Sequence, residues 1–218
     1  MRHHVLFSVL KIAAFALVAF LLVTFIRSTQ PDTTLPITDD APIATTTEDM
    51  TTAIFHTNRG NFTLELFTEA MPITTGNFIK LAEDGYYNDT RFHRVIDGFM
   101  VQGGDPLTKD ATQAIRWGTG GPGYTIEDEF VAGLSNVRGT IAMANTGQPN
   151  SGGSQFFINV VDNLGLDFDK PPMGSSHPVF GKVISGMDIV DAIVTTQVDA
   201  SDRPVEEVII NRVEIVKN

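Results

Sequence analysis

The sequence contains no cysteine. That excludes disulfides, thiolate nucleophiles and cysteine-ligated metals, and it leaves the compartment open. There is a single tryptophan, and Asp, Glu, Lys and Arg together make up only 19%, a composition that suits a packed domain better than a disordered chain. Basic residues are outnumbered, 15 against 26 acidic, for a formal net charge of −11. No Asp or Glu precedes residue 31, whereas Arg2, Lys11 and Arg27 do, so the remainder carries 12 basic against 26 acidic residues, a net of −14. A surface of that sign repels phosphate backbones, and nucleic acid is not expected as a partner.

Other signatures are also missing. The glycines of 118–123 are not followed by Gly-Lys-Ser/Thr, which argues against a phosphate loop. Gly152-Gly153-Ser154 is not G-x-S-x-G, the strained turn of many serine hydrolases. Glu127-Asp128-Glu129 lacks the spacing of a calcium loop and reads as a solvated acidic turn. No second ligand stands at metal spacing from His93, which reads as a packed or hydrogen-bonded histidine. Neither a metal nor a cofactor is expected.

What is present begins with an apolar run of 22 residues, Val5 to Ile26, interrupted by Ser8, Lys11 and Thr24. A spanning helix needs roughly 20. Positive charge precedes the run, so the N-terminus is expected to stay cytoplasmic and the rest to cross. The run ends on bulky Phe25 and Ile26 with Arg27, unlike a small-residue cleavage site. We therefore expect an uncleaved transmembrane signal-anchor over 1–27, with secretion as the outcome if it is cleaved. Residues 28–52 are rich in Thr, Pro and Asp without apolar periodicity and read as a solvated linker. Residues 53–218 read as one domain, expected to be monomeric and extracytoplasmic.

Within that domain Phe62, Leu64 and Leu66 alternate with polar residues after a turn at 58–61, predicting a hairpin over 53–67. Pro72 opens a helix with Phe78, Leu81 and Ala82 on one face. Strands are expected over 140–144, 156–161, 179–184 and 208–216, and a short helix over 187–194. Phe92, Phe156, Ile158 and Phe180 are expected in the core, and Trp117 packed within the long loop 106–139. Many strands and few helices predict a mainly β, antiparallel closed sheet.

The most informative stretch is FHRVIDGFMVQGGD, residues 92–105. Asp97-Gly98 favours a tight reversal between two apolar strands. Such a hairpin brings Arg94, Phe99, Met100 and Gln102 together: one charged donor, one amide and two large apolar groups. This wording resembles the signature of the cyclophilin-type peptidyl-prolyl isomerases. Ala142-Met143-Ala144-Asn145-Thr146 and Gly152-Gly153-Ser154-Gln155-Phe156-Phe157-Ile158 resemble the family's second block. Smaller matches stand at 118–124, 127–130 and 179–183.

The resemblance, from about Thr52 to the C-terminus, implies an eight-stranded antiparallel closed β-barrel capped by two helices. It implies acceleration of rotation about X–Pro bonds in proline-containing polypeptides. That barrier is about 18–20 kcal/mol, and a millisecond timescale needs roughly 5.5–7 kcal/mol of transition-state stabilisation. No covalent bond breaks. The twisted amide exposes a nitrogen lone pair that hardly exists in the planar forms, and a rigid, permanently charged guanidinium can bond it. By the resemblance Arg94 fills that role. Phe99, Met100, Phe157 and Leu166 surround the prolyl ring. Gln102 and the Asn145 main chain hold substrate carbonyls, Gln155 and Ala144 shape the adjoining groove, and His177 stands at the rim. Gly165 occupies a position where many members carry an aromatic, so tight binding of cyclosporin-like peptides is not expected. The loop holding Asn145 is longer by one residue, at Gln148-Pro149. A proline-peptide binding module, or chaperone with little turnover, is the alternative reading.

Overall fold

A computed structural model describes residues 50–170 and 176–217. The chain divides into two units, Met1–Thr45 and Thr46–Asn218. The proposed anchor and nearly all of the linker lie outside the described residues. No helix among the described residues is long and apolar enough to cross a membrane.

The second unit is mainly β. Its strands are β1 (Thr51–Thr57), β2 (Gly60–Leu66), β3 (Thr90–Arg91), β4 (Arg94–Ile96), β5 (Met100–Gly103), β6 (Thr140–Met143), β7 (Phe156–Asn159), β8 (Val179–Ser185) and β9 (Ile209–Lys217). They form one curled antiparallel sheet in the order β3-β9-β1-β2-β8-β6-β7-β5-β4. Two helices, α1 (Pro72–Glu83) and α2 (Met187–Val194), pack on it. The sequence predicts eight strands and the sheet has nine. The difference lies at Phe92-His93, which interrupts a single extended run. On one side of the break β3 pairs with β9, and on the other β4 pairs with β5.

Local chemistry explains the elements. Asn58 and Arg59 form a two-residue turn, with Thr57 opposite Gly60. Pro72 stands in the first turn of α1, where a missing N–H costs nothing. No side chain of the adjacent chain caps that helix; the Glu129 carboxylate instead accepts from the Ile73 and Thr74 N–H groups at 3.2 and 2.9 Å. Asp128 exchanges bonds with Asn150, its N–H donating to Oδ1 and its carboxylate accepting from the Asn150 N–H. The acidic turn therefore has two structural partners, a correction to its reading as merely solvated. In β9, Ile210 and Val213 are both buried although three residues apart. A shift in the β1–β9 register between His56 and Thr57 restores the alternation.

The interior is aromatic: Phe55, Phe62, Phe78, Tyr87, Phe92, Phe156 and Phe180 are each at most 1% exposed. Period-two alternation then separates two apolar clusters. Val95, Val101, Ile141 and Ile158 point inward to this core. Met100, Ala142, Phe157 and Val179 point outward and form a second, smaller cluster with Ile96, Phe99, Ala144 and Leu166 against it.

Gly104, just after β5, has φ +86°, and a Cβ there would lie 2.3 Å from the Ser154 carbonyl oxygen. Backbone cannot yield cheaply, so Gly104→Ala is expected to cost about 3 kcal/mol of stability, read as a lower urea midpoint at unchanged m-value.

Candidate active site

The outward row is set by strand register. Arg94 of β4 lies opposite Gln102 of β5, Gln102 opposite Phe157 of β7, and Phe157 opposite Ala142 of β6. Four strands thus carry a cation, an amide, an aromatic ring and a small residue in line. Met100, two residues from Gln102, shares the face. Gly98, with φ +68°, makes the reversal that brings Phe99 to the same place.

These groups line a cavity of about 480 Å³. Arg94, Phe99, Met100, Gln102, Ala144, Asn145, Phe157, Leu166 and His177 all border it. Gln155 does not; it lines a neighbouring groove of about 450 Å³ that shares Gln102, Ala144 and Asn145. The structure therefore brings together every residue singled out from sequence, in two adjoining hollows.

A polar relay fixes the floor. Arg94 Nη1 donates to Gln102 Oε1 at 3.4 Å, a long contact. Gln102 Nε2 donates to Gln155 Oε1 at 3.0 Å. Gln155 Nε2 donates to the Gly118 and Gly120 carbonyls at 3.0 and 2.8 Å. Those glycines are anchored by the fully buried Asp105 carboxylate, which accepts from the Gly118, Gly120 and Leu107 N–H groups at 2.5, 3.1 and 2.7 Å. A Cβ at Gly120 would sit 2.1 Å from Asp105 Oδ1. Close approach to a carboxylate explains this glycine.

The rim is held from behind. His177 ring N–H donates to the Met143 carbonyl at 3.0 Å, and the ring stands edge-on to Phe157 with centroids 5.2 Å apart. Its main-chain N–H donates to the Leu166 carbonyl at 3.0 Å. Burial lowers the His177 pKa, against a smaller upward push from the Met143 bond. Asp167 follows Leu166 and accepts from Ser135 Oγ and from the Asn136 main chain and side chain. Burial pushes that carboxyl up, but the three bonds outweigh it and hold it below the usual value. Asn163 Nδ2 ties the Phe99 carbonyl to this network at 2.9 Å. Asn145 Nδ2 donates to the Ser176 carbonyl, and its own N–H and C=O have no backbone partner among the described residues.

Comparison with known proteins decides the family. The sequence model for the cyclophilin type peptidyl-prolyl cis-trans isomerase/CLD family matches residues 52–215. The chain belongs to the cyclophilin-type peptidyl-prolyl cis-trans isomerases. It is 43% identical to peptidyl-prolyl cis-trans isomerase B of Escherichia coli, over 74% of this chain and 97% of that one. It is 42% identical to peptidyl-prolyl cis-trans isomerase-like 1 of Aspergillus fumigatus, over 77% and 96%. Among solved structures, a cyclophilin-type isomerase of Cryptosporidium parvum aligns with TM-score 0.67 at 33% identity, covering 78% of this chain and 99% of that one. The same protein in the presence of the dipeptide Ala-Pro aligns with TM-score 0.65. The domain is an isomerase of X–Pro bonds.

Five further residues line the cavity of this cyclophilin domain beyond those singled out from sequence for the site: His93, Trp117, Gly118, Ser201 and Arg203. His93 is 5% exposed, and neither ring nitrogen has a partner. The ring is packed, as expected, and the main-chain N–H donates to the Gln102 carbonyl at 3.0 Å. Trp117 packs within its loop as expected, its Nε1 donating to the Leu107 and Asp110 carbonyls at 3.1 and 3.2 Å, and its indole also meets Arg91 and Arg203 from outside that loop. Nothing lies within 4 Å of a Cβ built at Gly165, so the rim is open there.

Proposed function

We propose that Arg94 is the catalytic residue, donating to the nitrogen lone pair of a prolyl amide caught midway through rotation. The arrangement that supports this is a guanidinium beside an apolar hollow on one sheet face, held by a weak 3.4 Å bond it can relinquish. The prolyl ring rests on Phe99, Met100, Phe157 and Leu166. The free N–H and C=O of Asn145 pair with the substrate backbone as an added strand would. Gln102, whose amide is held by Gln155 and the Asp105 relay, bonds a neighbouring carbonyl, while Gln155 and Ala144 shape the adjoining groove. Apolar walls lower the local dielectric and strengthen the Arg94 bond. A substrate dipeptide of the Ala-Pro kind fits this assignment.

In this reading the run 90–96 is one interrupted strand of an eight-stranded closed barrel, supported by bonds from the Phe92 and His93 N–H groups to the Val208 and Gln102 carbonyls, both 3.0 Å. The domain over 53–218 works as a monomer. Residues 1–27 anchor it, and 28–52 hold it off the membrane, so that it serves proline-containing segments of polypeptides folding outside the cytoplasm. The tether is supported by the 22-residue apolar run behind Arg2. Fractionation of cells making the full chain tests it. Isomerase activity is expected in the membrane pellet, resistant to carbonate and open to protease from outside. Activity entirely in the soluble fraction, on an uncleaved chain, would remove the anchor.

A further inference from the structure

The cavity has a cationic corner that the proline assignment does not use. Arg203 stands in the loop between α2 and β9. That loop is fastened beside β4, since the Val95 N–H donates to the Asp202 carbonyl at 2.8 Å. Asp199 shapes it from within, its Oδ1 accepting from the Ser201 and Arg203 N–H groups at 2.8 and 3.1 Å. Arg203 thus lies past the β4 end of the row, on the side of Arg94 away from Phe157. Its guanidinium carbon sits 5.0 Å from the centre of the Trp117 ring. The stack orients the planar group while leaving N–H edges available.

No carboxylate among the described residues pairs with that guanidinium: Asp199 feels its charge but is bonded to the main-chain N–H groups of the loop. Arg59, Arg91, Arg138 and Arg212 each pair with a carboxylate. Arg94 and Arg203 pair with none among the described residues, and Arg203 Nε is buried without a hydrogen-bond partner. No Asp or Glu lines the cavity. In a chain of net charge −11, two guanidiniums without an ion pair in one hollow form a local exception. They repel each other, and an anion between them would relieve the repulsion and supply acceptors for both.

We propose that Arg203, stacked on Trp117, is a specificity subsite for a substrate carboxylate. The isomerase then favours segments with Asp or Glu within two residues of the proline. The inference rests on the placement of the prolyl ring given above, because that placement puts the flanking residues beside Arg94 and so within the shared cavity.

The test uses the full chain in detergent and peptides with one central proline, carrying Glu, Gln or Lys in turn at each of the two positions on either side of it and alanine at the others. At one position or more, Glu is expected to give a kcat/KM about fivefold above Gln, with Lys below Gln. The ratio should shrink when salt is raised to about 0.5 M, since screening shortens the reach of the charge. Arg203→Gln should bring the Glu/Gln ratio to about one, and Arg203→Lys should leave it in between. Because the readout is a ratio within one protein sample, partial misfolding does not imitate it. A ratio near one at all four positions in the parent, or one unchanged by Arg203→Gln, overturns the subsite and leaves the isomerase reading standing. Failure of the parent to turn over any of the peptides overturns both.

Discussion

Replacing Arg94 with alanine is expected to lower kcat/KM on a proline peptide by about 10²–10³-fold, the loss seen when one preorganised donor to a transition state is removed. That is about half of the roughly 5.5–7 kcal/mol the site must supply, and binding and desolvation would account for the residual rate. The fold should tolerate the change. Arg94 lies on the outward face of β4, half-buried, with one long side-chain bond and no ion pair among the described residues. Its removal opens no hole in the aromatic core, and stability should shift by less than about 1 kcal/mol. Arg94→Lys keeps the charge but loses the rigid fork of N–H groups, so it should fall between the parent and the alanine variant. A protease-free coupled assay or magnetisation exchange on a proline tetrapeptide gives the rates.

Acid should destabilise the domain through His93, in a pH range set by its burial. Burial drives its pKa from 6.5 down to about 4, with Arg203 and Arg94 adding to the shift and the Asp105 carboxylate opposing it. The unfolded chain takes up its proton near pH 6.5, the folded chain only near 4. The unfolded state therefore binds more protons in between, and stability falls as pH falls from about 6.5 to about 4, levelling off above that range. The total for this one group is roughly 3 kcal/mol. His177, also lowered by burial, acts in the same direction. The carboxylates held low in the fold, Asp110, Asp167, Asp199 and Glu214, act below their ordinary values near 4 and so belong to a more acid window. Urea titrations at half-unit pH steps should show the slope, and His93→Gln should remove the larger part of it. A midpoint flat from pH 7 to 4.5 in the parent would contradict this account.

Local patterns made much of the domain legible. Alternation in 62–66, proline at 72 and Asp97-Gly98 each act within a few residues, so the hairpins and both helices could be read directly from them. Arg94, Phe99, Met100 and Gln102 could be placed together because one turn joins their strands. The two-residue strand β3 could not, since its partner Ile209–Ile210 is more than a hundred residues away and too little pattern fits in two positions. The acidic residues were opaque for a related reason. Asp105 and Glu129 bond distant main-chain N–H groups, and a carboxylate looks the same in sequence whether it caps such groups or faces water. Trp117 and Arg203 reach the cavity from two separate loops, and Asn136, Asn159 and Asn163 support the rim through contacts that only folding creates. The density of glycine at 118–123 was the available signal: Gly120 approaches Asp105, and Gly118 and Gly123 take positive φ.

The most direct test of the role given to Arg94 is line-shape NMR of a proline peptide with the parent and with Arg94→Ala, fitted for the Kd of the cis and trans forms and for their exchange rate while bound. A donor aimed at the twisted nitrogen predicts Kd values within a few-fold of the parent and a bound exchange rate at least about 100-fold slower. Kd values weakened by the full loss in kcat/KM, with the bound rate unchanged, would show that Arg94 only holds the planar substrate.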